Sequence, residues 1–109
     1  MTYKVKMTSH AVQQMKAASR YIAKVLHEPA VAEKWMARVK KEIASLDAMP
    51  RRHPLVDEEP WRTEGIRRMR IENFAAYYWV DEIQRIVWIT AVVYGRQDQP
   101  SELRNMPME

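Results

Sequence analysis

Apolar and polar residues alternate from the start of the chain. Tyr3, Val5 and Met7 fall on one side and Lys4 and Lys6 on the other, the period of a half-buried strand. The period then lengthens. Val12, Met15, Ala18 or Ser19, Ile22, Val25 and Leu26 recur at helical spacing and make one apolar stripe, with Gln13, Lys16, Arg20 and Lys24 mostly on the wet side. Thr8 or Ser9 can cap this helix. His27-Glu28-Pro29 ends it, because a residue before proline is biased away from helical angles, and Pro29 can open the next helix. Ala32, Trp35, Met36, Val39, Ile43 and Leu46 form a second stripe, with Lys34, Arg38, Lys40 and Lys41 largely off it. So short a connection predicts an antiparallel helical hairpin.

From Met49 to Glu64 neither period holds. Pro50, Pro54 and Pro60 punctuate a basic start (Arg51, Arg52, His53) and an acidic middle (Asp57, Glu58, Glu59). This reads as an irregular loop, longer than connections usually are, with Trp61 pinning its far end. Gly65 opens a strand in which Met69 and Ile71 share a face with Arg67, while Arg68 and Arg70 share the other with Ile66. Glu72-Asn73 is a turn, Phe74 to Asp81 an aromatic strand, and Asp81 to Arg85 a polar hairpin turn. Ile86 to Tyr94 is the most β-branched run and reads as a central strand; Gly95 breaks it, and Pro100 to Glu109 is a polar tail. The order β-α-α-β-β-β predicts an α+β two-layer sandwich. The hairpin packs on one face of a small twisted sheet and leaves the other at least partly open.

Composition narrows the function. The 109 residues suit one domain, 1–109. Eighteen Lys and Arg against fourteen Asp and Glu give +4, which suits nucleic acid or an acidic protein equally well. The absence of cysteine excludes disulfides and thiolate metal sites and points to a reducing cytoplasm. Three scattered histidines offer no ligand spacing, so no metal and no cofactor are expected. No run approaches the ~20 apolar residues of a membrane helix, and no membrane contact is expected.

Residues able to handle an anion collect in the last third. Arg68, Arg70 and Arg67 lie on the first strand of the meander, and Tyr94-Gly95-Arg96-Gln97-Asp98 closes the last one. Their blander reading is a solvated basic face. This part of the chain also carries a resemblance. Arg67-Arg68-Met69-Arg70-Ile71 resembles the R-x-L-x-V strand of the RelE/ParE superfamily of bacterial type II toxins. Tyr78-Trp79-Val80 is similar to its Y-x-V strand, and Val92-Val93-Tyr94-Gly95-Arg96-Gln97-Asp98 to the V-L-H-G-R-R-D ending of the ParE-like branch.

The resemblance implies two activities. RelE-like members cut messenger RNA in the ribosome, with ribosome and mRNA as partners; ParE-like members poison DNA gyrase without nuclease chemistry. Both are silenced by a cognate antitoxin that wraps a helix and an extended segment around the toxin. RNA cutting of this kind is attack of a 2′-hydroxyl on the adjacent phosphate. It needs positive charge for the transition state, a base and an acid. The leading expectation is such an endonuclease, and gyrase inhibition or an inactive antitoxin-binding module are the alternatives. Arg68 and Arg96 would stabilise charge, and Tyr94 would donate a proton or stack on a base. Glu64 or His53 would be the base, and Asp98 would orient Arg96. Arg67, Arg70 and Trp79 would bind RNA or partner, with Trp88 in the core. The chain also departs from the RelE pattern: Ala75 stands where a RelE active-site arginine would be, Ile66 where one of its lysines would be, and no tyrosine lies near Glu102.

Overall fold

A computed structural model describes residues 2–94. Strand β1 (Lys4–Met7) leads into helix α1 (Ser9–Arg20). Helix α2 (Pro29–Ala44) follows, then the long loop, β2 (Arg67–Ile71), β3 (Phe74–Asp81) and β4 (Ile86–Tyr94). The strands form one sheet in the order β1-β4-β3-β2, with β1 parallel to β4 and the meander antiparallel. The two helices cover one face. This is the expected α+β arrangement, with β4 in the interior of the sheet.

Local chemistry explains the boundaries. Thr8 caps α1, accepting from the Ala11 N–H at 3.1 Å, and its hydroxyl also reaches the Thr90 carbonyl at 3.3 Å. Pro29 occupies the first turn of α2, where its missing N–H costs nothing. Between the helices, Tyr21–Val25 forms a π-helical turn closed by the Leu26 N–H on the Tyr21 carbonyl at 3.2 Å. The extra residue in that turn rotates the following side chains off the stripe. Ile22 stays buried, but Val25 and Leu26, read from spacing as core, are 58% and 42% exposed. In α2 the stripe holds: Ala32, Trp35, Val39 and Ile43 are buried, with Leu46 just beyond.

A one-residue bulge divides β4. Tyr77 faces Ala91 but Tyr78 faces Ile89, so Thr90 is the extra residue. Its hydroxyl donates to the Tyr77 carbonyl at 3.2 Å. Beyond the bulge the in-out alternation reverses. Val92 and Tyr94 point to the helices on one side of it, and Ile89 and Val87 on the other. Trp88, expected in the core, is thereby turned to the helix-free face, directly opposite Trp79.

That face is not bare. Val56 and Ile66 pack there on Ala75, Tyr77, Ala91 and Val93, with Trp61 and Trp79 against the cluster. The loop between α2 and β2 is therefore better built than its composition suggested. Its Val56 N–H donates to the Ile66 carbonyl at 2.9 Å, the Arg68 N–H donates to the Pro54 carbonyl at 3.1 Å, and Leu55 bridges Arg67. Residues 54–56 thus run along the outer edge of β2. Gly65, at φ +88°, makes the turn that a side-chain-bearing residue would strain. No helix among the described residues is long and apolar enough to cross a membrane.

Candidate functional site

Register sets out the helix-free face in rows. Lys4, Ile86 and Asp81 make one row and Lys6, Trp88 and Trp79 the next. Ala91, Tyr77 and Arg68, then Val93, Ala75 and Arg70, complete it. Arg68 and Arg70 lie on this face, as alternation predicted, Arg68 half-buried and Arg70 exposed. Tyr77 beside Arg68 is fully buried, and among the described residues its hydroxyl has no well-formed hydrogen bond. Burial pushes its pKa up, and the Arg68 guanidinium partly opposes that rise. Sequence reasoning did not single out Tyr77; its position opposite Arg68 follows only from the pairing of β2 with β3.

The other candidates separate. Tyr94 lies on the helix side of the sheet, its ring 5.5 Å from Trp35 and 6.5 Å from Tyr21. It does not share a face with Arg68, because a strand alternates its side chains and Tyr94 has the parity of Val92. Arg67 turns its guanidinium onto loop carbonyls, those of His53 at 2.8 Å and Arg51 at 3.3 Å. That commits it to holding the loop. His53 packs edge-on against Tyr78 with ring centroids 6.4 Å apart. Its pKa is lowered by burial first and Arg52 second, against an opposing pull from Glu42. Glu64 is exposed in the turn before Gly65 and pairs with neither Arg62 nor Arg67. Arg62 pairs loosely with Asp57 at 3.8 Å instead. Trp79 is half-buried on the same face as Arg68. Arg96 and Asp98 lie outside the described residues. Among the described residues, no cluster of three or more His, Asp or Glu could hold a metal ion.

A second surface escaped the sequence reading. Ile22, Val31, Lys34, Trp35, Arg38 and Tyr94 line a hollow of about 310 Å³ between α2 and the β2–β3 turn. Arg38 reaches Glu72 across it at 3.0 Å. The buried Trp35 indole N–H has no hydrogen-bond partner among the described residues. Tyr21, Val25, Leu26 and Val31, between 42% and 58% exposed, gather around the hairpin tip beside the hollow. Exposed apolar groups gathered this way mark an interaction surface.

The family described as ParE toxin of type II toxin–antitoxin system, parDE, matches residues 5–99. The chain belongs to this family. Solved structures share the fold. A chromosomal ParDE system from P. aeruginosa aligns with TM-score 0.70 at 19% identity, over 87% of this chain and 98% of that one. The RelBE2 toxin–antitoxin complex from Mycobacterium tuberculosis gives 0.67 at 17% identity, over 89% and 95%. A free double arginine-to-alanine variant of E. coli RelE gives 0.64 at 13%, over 96% and 93%. No curated sequence matches closely enough to count as a relative. The chain is thus a type II toxin of the RelE/ParE superfamily, and a cognate antitoxin is its expected partner.

Proposed function

We propose that this toxin arrests growth in the ParE manner, as a non-nucleolytic inhibitor of DNA gyrase, and that a cognate antitoxin neutralises it. The separation of Arg68 from Tyr94 onto opposite faces of the sheet carries this reading. Phosphodiester cleavage needs charge stabiliser, acid and base within reach of one phosphate. Among the described residues, Arg68 instead adjoins a buried tyrosine and an apolar cluster, and Ala75 fills the position where RelE-like members carry an arginine. The apolar hairpin tip and its hollow, rimmed by Lys34 and Arg38, suit an amphipathic antitoxin helix with acidic residues.

The mRNA-cutting reading rests on Arg68 and Arg70 on one face, with Arg96 as a third cation, and would give an endoribonuclease. Induced expression distinguishes the two. Gyrase inhibition predicts broken chromosomes and a DNA-damage response while translation continues, with Arg68→Ala lowering toxicity only through target binding. Arrested translation with cleaved mRNA and an intact chromosome would overturn the proposal.

A further inference from the structure

One end of the helix-free face is left unexplained by either activity. There, Lys4 and Lys6 of β1 flank a pair of tryptophans, Trp88 and Trp79, directly opposite each other on β4 and β3. Cross-strand partners on one face sit about 5 Å apart at Cβ, so the two indoles are neighbours on this face, Trp79 also packing on the cluster of Val56 and Ile66. Both are half-buried. The Lys6 ammonium lies 5.8 Å from the Trp88 ring centroid. Lys4 and Lys6 also border a hollow of about 460 Å³ with Gln84 and Arg85.

The nearby acids are already engaged. The Asp81 carboxylate accepts from the Ile83 and Gln84 N–H groups at 3.1 and 3.0 Å. Glu82 accepts from the Tyr3 hydroxyl at 2.9 Å and pairs with Arg51 at 3.2 Å and Arg85 at 3.6 Å. Among the described residues, neither Lys4 nor Lys6 has a carboxylate within ion-pair distance. Indole rings beside lysines that have no carboxylate partner among the described residues recognise one chemistry well, a flexible chain of stackable bases on a phosphate backbone. A duplex hides its base faces and cannot use the indoles. The Tyr77 row, which carries Arg68, lies next to the tryptophan row, and the Ala75 row with Arg70 lies one further along the same face.

We infer that Trp88 and Trp79, with Lys4 and Lys6, form a platform for single-stranded nucleic acid. The platform is independent of whether gyrase or mRNA is the target. The bases stack on the indoles and the lysines take the phosphates.

The test is fluorescence anisotropy of labelled twelve-nucleotide oligo-dT and oligo-U, with a hairpin duplex as control, against the purified chain. Binding is read between 50 and 200 mM salt. Trp88→Leu fills the same space without a π-face and should weaken single-strand binding by about 5- to 150-fold, the range of one lost base stack. Trp88→Phe should retain most of it. Lys4→Gln with Lys6→Gln should reduce the slope of log K on log salt by about 1.4, two phosphate contacts at ~0.7 each. Circular dichroism checks that each variant is folded. Comparing dT with U tells whether DNA or RNA is preferred. Unchanged binding in the folded Trp88→Leu and lysine variants would overturn the inference. So would duplex binding as tight as single-strand binding, or a loss confined to Arg68→Ala with Arg70→Ala. Failure here would leave the gyrase reading untouched, because growth arrest is measured separately.

Discussion

Tyr78 shows what a single side chain fixes. It is buried on the helix side of β3, and its hydroxyl donates to the Pro50 carbonyl at 2.6 Å, tying the start of the long loop to the sheet. Burial pushes its pKa up to about 12. Tyr78→Phe would strand that carbonyl, and a buried acceptor left alone costs about 1–3 kcal/mol. Thermal unfolding should detect a lower Tm, with exposed Tyr21→Phe nearly neutral as control. His53 packs on the same ring and titrates in the opposite sense. Its folded pKa lies below the ordinary 6.5, so the unfolded chain takes up a proton that the folded one resists. Its contribution to stability is therefore complete above that value and declines as pH falls through it. Urea melts across about pH 5–7 should show this decline in the wild type and a shallower one in His53→Phe, which keeps the edge-on ring without titrating. An equal decline in both would assign it to other groups.

At the scale of elements, two insertions of one residue matter most. The π-turn after α1 sends Val25 and Leu26 outward, where they join Val31 and Tyr21 in the apolar tip. Their exposure frees them from the core, so Leu26→Glu should change stability by no more than about 0.5 kcal/mol. Placed inside an apolar interface, the same carboxylate would have to be desolvated without a partner. Leu26→Glu should therefore weaken antitoxin binding by more than about tenfold, or about 1.4 kcal/mol, and leave growth arrest intact. Calorimetric titration and a growth-rescue assay read the two effects separately. Retained affinity would move the antitoxin elsewhere on the surface. The second insertion, Thr90 in β4, reverses which side chains face the helices and brings Trp88 beside Trp79.

For the whole molecule, the sheet divides labour between its faces. One holds the helices, the main core and the apolar hairpin tip; the other holds Arg68, Arg70, the tryptophan pair and Lys4 and Lys6. Much of this was legible in the chain itself. Two helical stripes, the Pro29 start and the alternation of Arg68 and Arg70 against Met69 and Ile71 follow from local periodicity, and they fixed the element order, the layer count and the face of those arginines. Tertiary structure alone decided the rest. The bulge at Thr90 and the π-turn at Tyr21 each shift the count by one, and neither leaves a residue-type signature. Strand pairing set Tyr77 beside Arg68, and the loop folded Val56 and Ile66 over that face. Local sequence fixes which way a side chain points along a perfect strand or helix; only the packing of the whole chain determines where that perfection is broken and which distant groups meet.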